Sequence, residues 1–79
     1  MVHQLVLYTR KGCELCEHAK VIIHAVRGEI EFGYREVDID TDPAIYQEHK
    51  HDIPVIEIDG RRAFKYRVAK EELRERLLR

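Results

Sequence analysis

The feature that most restricts how this chain can fold is Cys13-Glu14-Leu15-Cys16, set between a β-rich run and a helical repeat. His3 to Thr9 (HQLVLYT) carries Leu5, Val6 and Leu7 in succession, so it reads as a strand covered on both faces. Gly12 ends the loop that follows. From Cys13 to Arg27 the apolar positions Leu15, Ala19, Ile22, Ile23 and Val26 recur at helical spacing, and Gly28 fits the C-terminal cap. A strand leading through a short loop into a helix sets both thiols at a helix N-terminus.

Later segments supply partners for this junction. Ile30 to Asp40 is strand-like, but its alternation slips between Tyr34 and Val37, which predicts a bulge or an irregular start. Asp42-Pro43 opens a second helix, with Asp as N-cap and Pro at the first helical position, running to about Lys50. Ile53 to Ile58 is a strand, Asp59-Gly60 a hairpin turn, and Arg62 to Lys65 the returning strand. A last helix is predicted over Val68 to Leu78, with Ala69, Leu73 and Leu77 on one face. Glu72 with Arg76 and Glu75 with Arg79 make i,i+4 pairs on its wet side. The order β-α-β-α-β-β-α describes one α/β domain over residues 1–79, without repeat or linker.

A chain of 79 residues has room for one modest core. The net charge is −1 and no run of like charge exceeds three residues, so neither nucleic acid nor a membrane surface is an expected partner. The N-terminus MVHQLVLYTR lacks a basic region followed by an apolar segment of signal length. The expected setting is the cytoplasm, where thiols stay reduced.

Two thiols at this spacing have several uses. A c-type haem site requires His directly after the second Cys, and Glu17 stands there instead. A structural zinc site would need two of His18, His49 and His51 to complete four ligands, and His49-Lys50-His51 lacks the usual spacing. As a staple, a disulfide closing so short a loop gives only about 2 kcal/mol. Two inert, core-filling cysteines remain open as well. The location fits redox chemistry best. Unpaired N–H groups and the helix dipole at Cys13 favour a thiolate, Arg10 and Lys11 add positive charge, and Glu14 opposes it. Cys16, one turn inside, lines up with Ala19 and Ile23 and is expected to be buried. On this reading Cys13 is the nucleophile and Cys16 the resolving thiol.

LVLYTRKGCELCEHAKVII resembles the opening of a glutaredoxin: strand, Tyr-Thr-basic, loop, C-x-x-C, amphipathic helix. The element order resembles the glutaredoxin form of the thioredoxin fold over nearly the whole chain, which implies a four-stranded mixed sheet with helices on both faces. The resemblance also implies that the Ile53–Pro54 bond is cis, and that Ile53 offers its backbone N–H and C=O to a substrate. It implies thiol–disulfide exchange with no cofactor and no metal: Cys13 attacks, Cys16 resolves to an intramolecular disulfide, and Pro54 shapes the groove. Arg10 then favours the thiolate and an anionic substrate. Partners would be protein or low-molecular-weight disulfides and thiols, glutathione among them, with the protein a monomer.

Two departures bear on substrate. The family usually has Pro and an aromatic inside the motif, where Glu14 and Leu15 stand here. Its Gly-Gly pair and acidic helix cap, which hold the glutamyl end of glutathione, are replaced by AFKYRVAKEEL. The rival class is a non-catalytic module that holds a metal ion or an iron–sulfur cluster on the same thiols.

Overall fold

The computed structural model describes residues 2–79. β1 (Gln4–Thr9) leads into α1 (Glu14–Arg27), followed by β2 (Gly33–Asp38), a 3₁₀ turn (Ile39–Thr41) and α2 (Pro43–His49). β3 (Val55–Ile58), β4 (Arg61–Lys65) and α3 (Lys70–Leu77) complete the chain. The sheet order is β2-β1-β3-β4. β1 runs parallel to β2 and antiparallel to β3, and β3 antiparallel to β4. This is the expected four-stranded mixed sheet.

Side-chain alternation along β1 explains the layers. Leu5 and Leu7 face one side and join Ala19, Ile23 and Val26 of α1, Ile56 and Ile58 of β3, and Leu73 and Leu77 of α3 in the main core. Tyr8 faces the other side, where its ring stacks on His49 of α2 at 4.2 Å between centroids. Helices therefore lie on both faces, but unequally: Leu5 and Leu7 are buried, whereas Val6 and Tyr8 on the α2 side are only half-buried, so the second face of β1 is less covered than its continuous apolar run implies.

Several boundaries differ from the sequence expectation, each for a local reason. Cys13 is not in α1 but caps it in an extended conformation, its Sγ accepting from the Cys16 N–H at 3.1 Å. Gly28 sits at the C-cap in the right-handed region rather than the left-handed one expected of a capping glycine. β2 starts at Gly33, because Phe32 turns into the core and Ile30 packs beside it. It ends at Asp38, where the carboxylate accepts from the Asp40 N–H at 2.9 Å and starts the 3₁₀ turn. The β1–β2 register is continuous, so the irregularity is the late start and not a bulge. The bulge lies elsewhere: Ile56 pairs Phe64 and Glu57 pairs Arg62, leaving Ala63 as the extra residue.

β3 begins only at Val55, since Pro54 has no N–H for the ladder. In α3, Val68 is buried ahead of the helix while Ala69 is exposed and extended. Of the two predicted pairs on α3, Glu75–Arg79 forms at 3.7 Å. Arg74 instead bridges Glu71 and Glu29, both at 3.2 Å, and Glu72–Arg76 is absent among the described residues.

Asp59 and Gly60 have φ of 53° and 83°, the paired left-handed conformation of a type I′ hairpin. Asp59 also ties this turn to β1. Its Oδ1 accepts from the Gln4 N–H at 2.9 Å, and Oδ2 meets His3 Nδ1. His3 Nε2 lies 3.2 Å from the Arg79 carbonyl, so both ends of the chain gather at this corner. The Asp59 carboxylate and then the Arg79 carbonyl raise the His3 pKa above its ordinary value. Asp59 is held below its own ordinary value by His3 and then by the Gln4 N–H. A raised His pKa gives stability that is complete below pH 6.5 and lost as pH climbs through the folded value. A lowered Asp pKa gives stability present above pH 3.8 and lost as pH falls through the folded value. The melting-temperature difference between wild type and His3→Gln is therefore expected to be largest between these limits and to shrink towards pH 9. A difference that stays flat with pH would mean the pair is not ionic.

Candidate functional site

β1 delivers the chain to the dithiol end of the sheet. Gly12, at φ +78°, makes the left-handed turn that a Cβ would disfavour, and no neighbour crowds it. Cys13 then caps α1 and is half-buried, while Cys16, one turn in, is 0% exposed. The two are joined as a disulfide with Cα atoms 5.2 Å apart. The Cys16 N–H donates to Cys13 Sγ, and the helix dipole adds positive potential at that sulfur. Glu14 and Glu17, both in the first turn, oppose it.

Strand register supplies the rest. Tyr8 pairs with Val37 on one side and Val55 on the other, and Val55 pairs with Lys65. One residue further along each strand lie Thr9, Asp38, Pro54 and Tyr66. They form the end row from which the Cys13 loop departs. Pro54 is buried and the Ile53–Pro54 bond is cis. Its carbonyl accepts from the Tyr66 N–H at 2.9 Å. Ile53 is half-buried, and neither its N–H nor its C=O takes a partner among the described residues.

Arg10 is at the same end and is engaged by the 3₁₀ turn and α2. Its Nε donates to Asp40 Oδ2 at 2.9 Å, and its guanidinium lies over the Tyr46 ring at 5.5 Å. The Asp40 carboxylate raises its pKa and offsets its charge. Lys11 is exposed beside the motif. Of the histidines, His49 is 2% exposed under Tyr8, whereas His18 and His51 are exposed. No group of three or more His, Cys, Asp or Glu gathers as a metal site among the described residues.

Sequence reasoning missed four residues here. Asp40 falls at the end of the expected second strand, yet it lies in the 3₁₀ turn and pairs with Arg10. Asp52 accepts from the Tyr66 hydroxyl at 3.2 Å and meets Arg62 at 3.5 Å, directly ahead of Ile53. Tyr66 takes φ +67°, which no sequence pattern announces for a tyrosine. Thr9 is buried, and its hydroxyl has no partner among the described residues. Thr9 shares a face with Leu7, whose β2 neighbour Glu36 meets Lys20 at 3.5 Å.

A half-exposed capping cysteine bridged to a buried one, at the end of a mixed sheet covered on both faces, defines a thiol-redox module of the thioredoxin fold. Residues 4–78 match the family described as Glutaredoxin-like domain (DUF836), and the chain belongs to that family. It is 38% identical over 72 residues to the Glutaredoxin-like protein YDR286C homolog of Dictyostelium discoideum, covering 84% of this chain and 67% of that protein. Among solved structures it is similar to target protein XcR50 from X. campestris, at 27% identity, TM-score 0.77 and coverage of 92% and 93%. It shares its fold with a mutant thioredoxin from Halobacterium salinarum, at 12% identity and TM-score 0.72, over 95% of this chain and 71% of that one. No helix of the described residues is long and apolar enough to cross a membrane.

The orphaned Thr9 hydroxyl has a measurable consequence. A buried polar group without a partner costs about 1–3 kcal/mol, whereas an apolar group of the same shape does not. Thr9→Val in the oxidised protein is therefore expected to match or exceed wild-type stability in urea. A loss above about 1 kcal/mol would show that the hydroxyl has a partner in solution.

Proposed function

We propose that the protein is a thiol–disulfide oxidoreductase that reduces protein or small-molecule disulfides through Cys13 and Cys16. The observation that carries this reading is the contrast in burial across one helical turn, with Cys13 half-exposed and Cys16 enclosed. In the reduced state the Cys13 thiolate attacks one sulfur of a substrate disulfide. A mixed disulfide forms, the substrate S–S bond breaks, and the other substrate sulfur leaves as a thiolate that takes a proton from solvent. Cys16, deprotonated as it attacks, then closes on Cys13 Sγ. This forms the intramolecular disulfide and releases the second substrate thiol. Two electrons have passed to the substrate, and a cellular thiol must return them. A reducing compartment such as the cytoplasm supplies such thiols.

Supports for the roles differ in kind. Cys13 has the helix N-terminus, an N–H donor to its sulfur and exposed Lys11 close by in sequence. Ile53 has unpaired backbone groups that suit an extended substrate, with Pro54 shaping the floor beside it. Arg10 contributes less field than an unpaired cation would, because Asp40 holds it. At the start of α3, Ala69 offers no side-chain cap, and bulky residues stand where a glutathione site of the family has glycines. Glutathione is therefore a weaker partner than a protein disulfide in this reading. Turnover of a small glutathionylated substrate is expected to lag reduction of a protein disulfide and to fall with added salt. Fast, salt-insensitive deglutathionylation would contradict it.

The direct test is chemical trapping. In reduced protein at neutral pH, alkylation is expected to mark Cys13 first. Cys16→Ser is expected to accumulate a mixed disulfide on Cys13, and Cys13→Ser to abolish exchange. Faster modification of Cys16, or trapping on Cys16 in Cys13→Ser with turnover retained, would reverse the roles.

A further inference from the structure

Tyr66 is held in an unusual way for a residue with no assigned task. Its φ of +67° lies where a bulky side chain is rare and glycine is at ease. The Arg67 N–H donates to the Lys65 carbonyl at 2.8 Å, closing a three-residue turn around it. Its own N–H donates to the Pro54 carbonyl at 2.9 Å, and its hydroxyl donates to Asp52 Oδ1 at 3.2 Å. Asp52 is braced in turn by Arg62 at 3.5 Å. The residue is thus held through its backbone N–H and its hydroxyl against residues 52–54, yet it stays 44% exposed. The two backbone bonds could be made by glycine without steric penalty. Backbone strain of this sort persists where a side chain is required at that place.

Position gives the strain a meaning. Val2, Val21 and Leu78 are the other large exposed apolar side chains among the described residues. Val2 and Leu78 lie near the chain ends and Val21 within α1, away from the end row. Tyr66 stands in the end row with Pro54, next to the unpartnered backbone groups of Ile53. We propose that Tyr66 is a specificity-determining residue whose ring receives a large apolar side chain flanking the reacting cysteine of an extended peptide disulfide. This rests on the exchange activity proposed above. An extended peptide pairing with the Ile53 N–H and C=O lies across the Pro54 loop, and a side chain beside its cysteine meets the ring. An apolar group suits this wall because the ring is the exposed apolar surface there, while the neighbouring charges Asp52, Arg62 and Lys65 largely offset one another. Arg62 is already committed to Asp52, and Lys65 Nζ lies over the ring at 5.4 Å.

The test is a preference ratio measured on each protein sample, so that changes in folded fraction cancel. Two peptides of equal length each carry one disulfide and differ only in Phe or Gly beside the cysteine. Wild type is expected to favour the Phe peptide by about 3- to 10-fold in kcat/KM, the range of an aromatic contact. Tyr66→Gly is expected to bring the ratio near unity while still unfolding cooperatively, since relief of the positive φ offsets the lost Asp52 bond. Tyr66→Asn, which also tolerates that conformation, is expected to lose the preference equally, and Tyr66→Phe to keep most of it. A wild-type ratio near unity, or a ratio unchanged in both Tyr66→Gly and Tyr66→Asn, overturns the inference. Failure of wild type to reduce even hydroxyethyl disulfide overturns the exchange reading, and this inference with it.

Discussion

Everything at the dithiol end depends on β1 being hydrogen-bonded along both edges and packed on both faces, fully against α1 and α3 and partly against α2. β2 and β3 pair with it from either side, Leu5 and Leu7 fill the α1–α3 core, and Tyr8 stacks under α2. A strand so enclosed cannot slip, because a one-residue shift would turn Leu5 and Leu7 out of the core. That fixed register sets Thr9, Pro54 and Tyr66 in one row, and it sets where the Cys13 loop leaves the sheet. The geometry of the thiols follows from the same strand. Gly12 turns the chain, Cys13 caps α1, and Cys16 is carried into the layer between helix and sheet.

The electrostatics of the site are more balanced than its list of basic residues implies. Arg10 faces Asp40 and Tyr46, Lys20 faces Glu17 and Glu36, and Glu14 lies in the first turn. In the exchange chemistry proposed above, a Cys13 thiolate would be favoured mainly by backbone: the dipole of α1 and the Cys16 N–H. These backbone groups cannot be titrated away. The exposed pairs around them are weak and screened by salt. The loop between β4 and α3 borders the same end of the sheet. Here that loop carries Tyr66 and Arg67 directly after Lys65, and α3 starts without a side-chain cap.

The site was legible wherever chemistry and chain direction coincide. Cys13 and Cys16 lie on a strand–loop–helix junction that periodicity alone reveals, so their contrast in burial follows from helical spacing. Asp42-Pro43 and Asp59-Gly60 were equally readable, since each acts through its own backbone. Boundaries were less so. The apolar residues Ile30 and Phe32 have the pattern of a strand start, but they serve the core from a loop. Ala69 has the spacing of a core position, and Val68 takes that place because the helix begins one residue beyond Ala69.

The element order, the hairpin, the second-helix cap and the position of the two thiols follow from neighbouring residues alone. What meets across the chain does not. Arg10 pairs with Asp40, Tyr66 with Pro54 and Asp52, and Asp59 with His3. Thr9 is left with a buried hydroxyl that has no partner among the described residues. Such pairings join residues far apart along the chain. They are set by strand register and packing, which are fixed by the whole core at once and by no local segment of it.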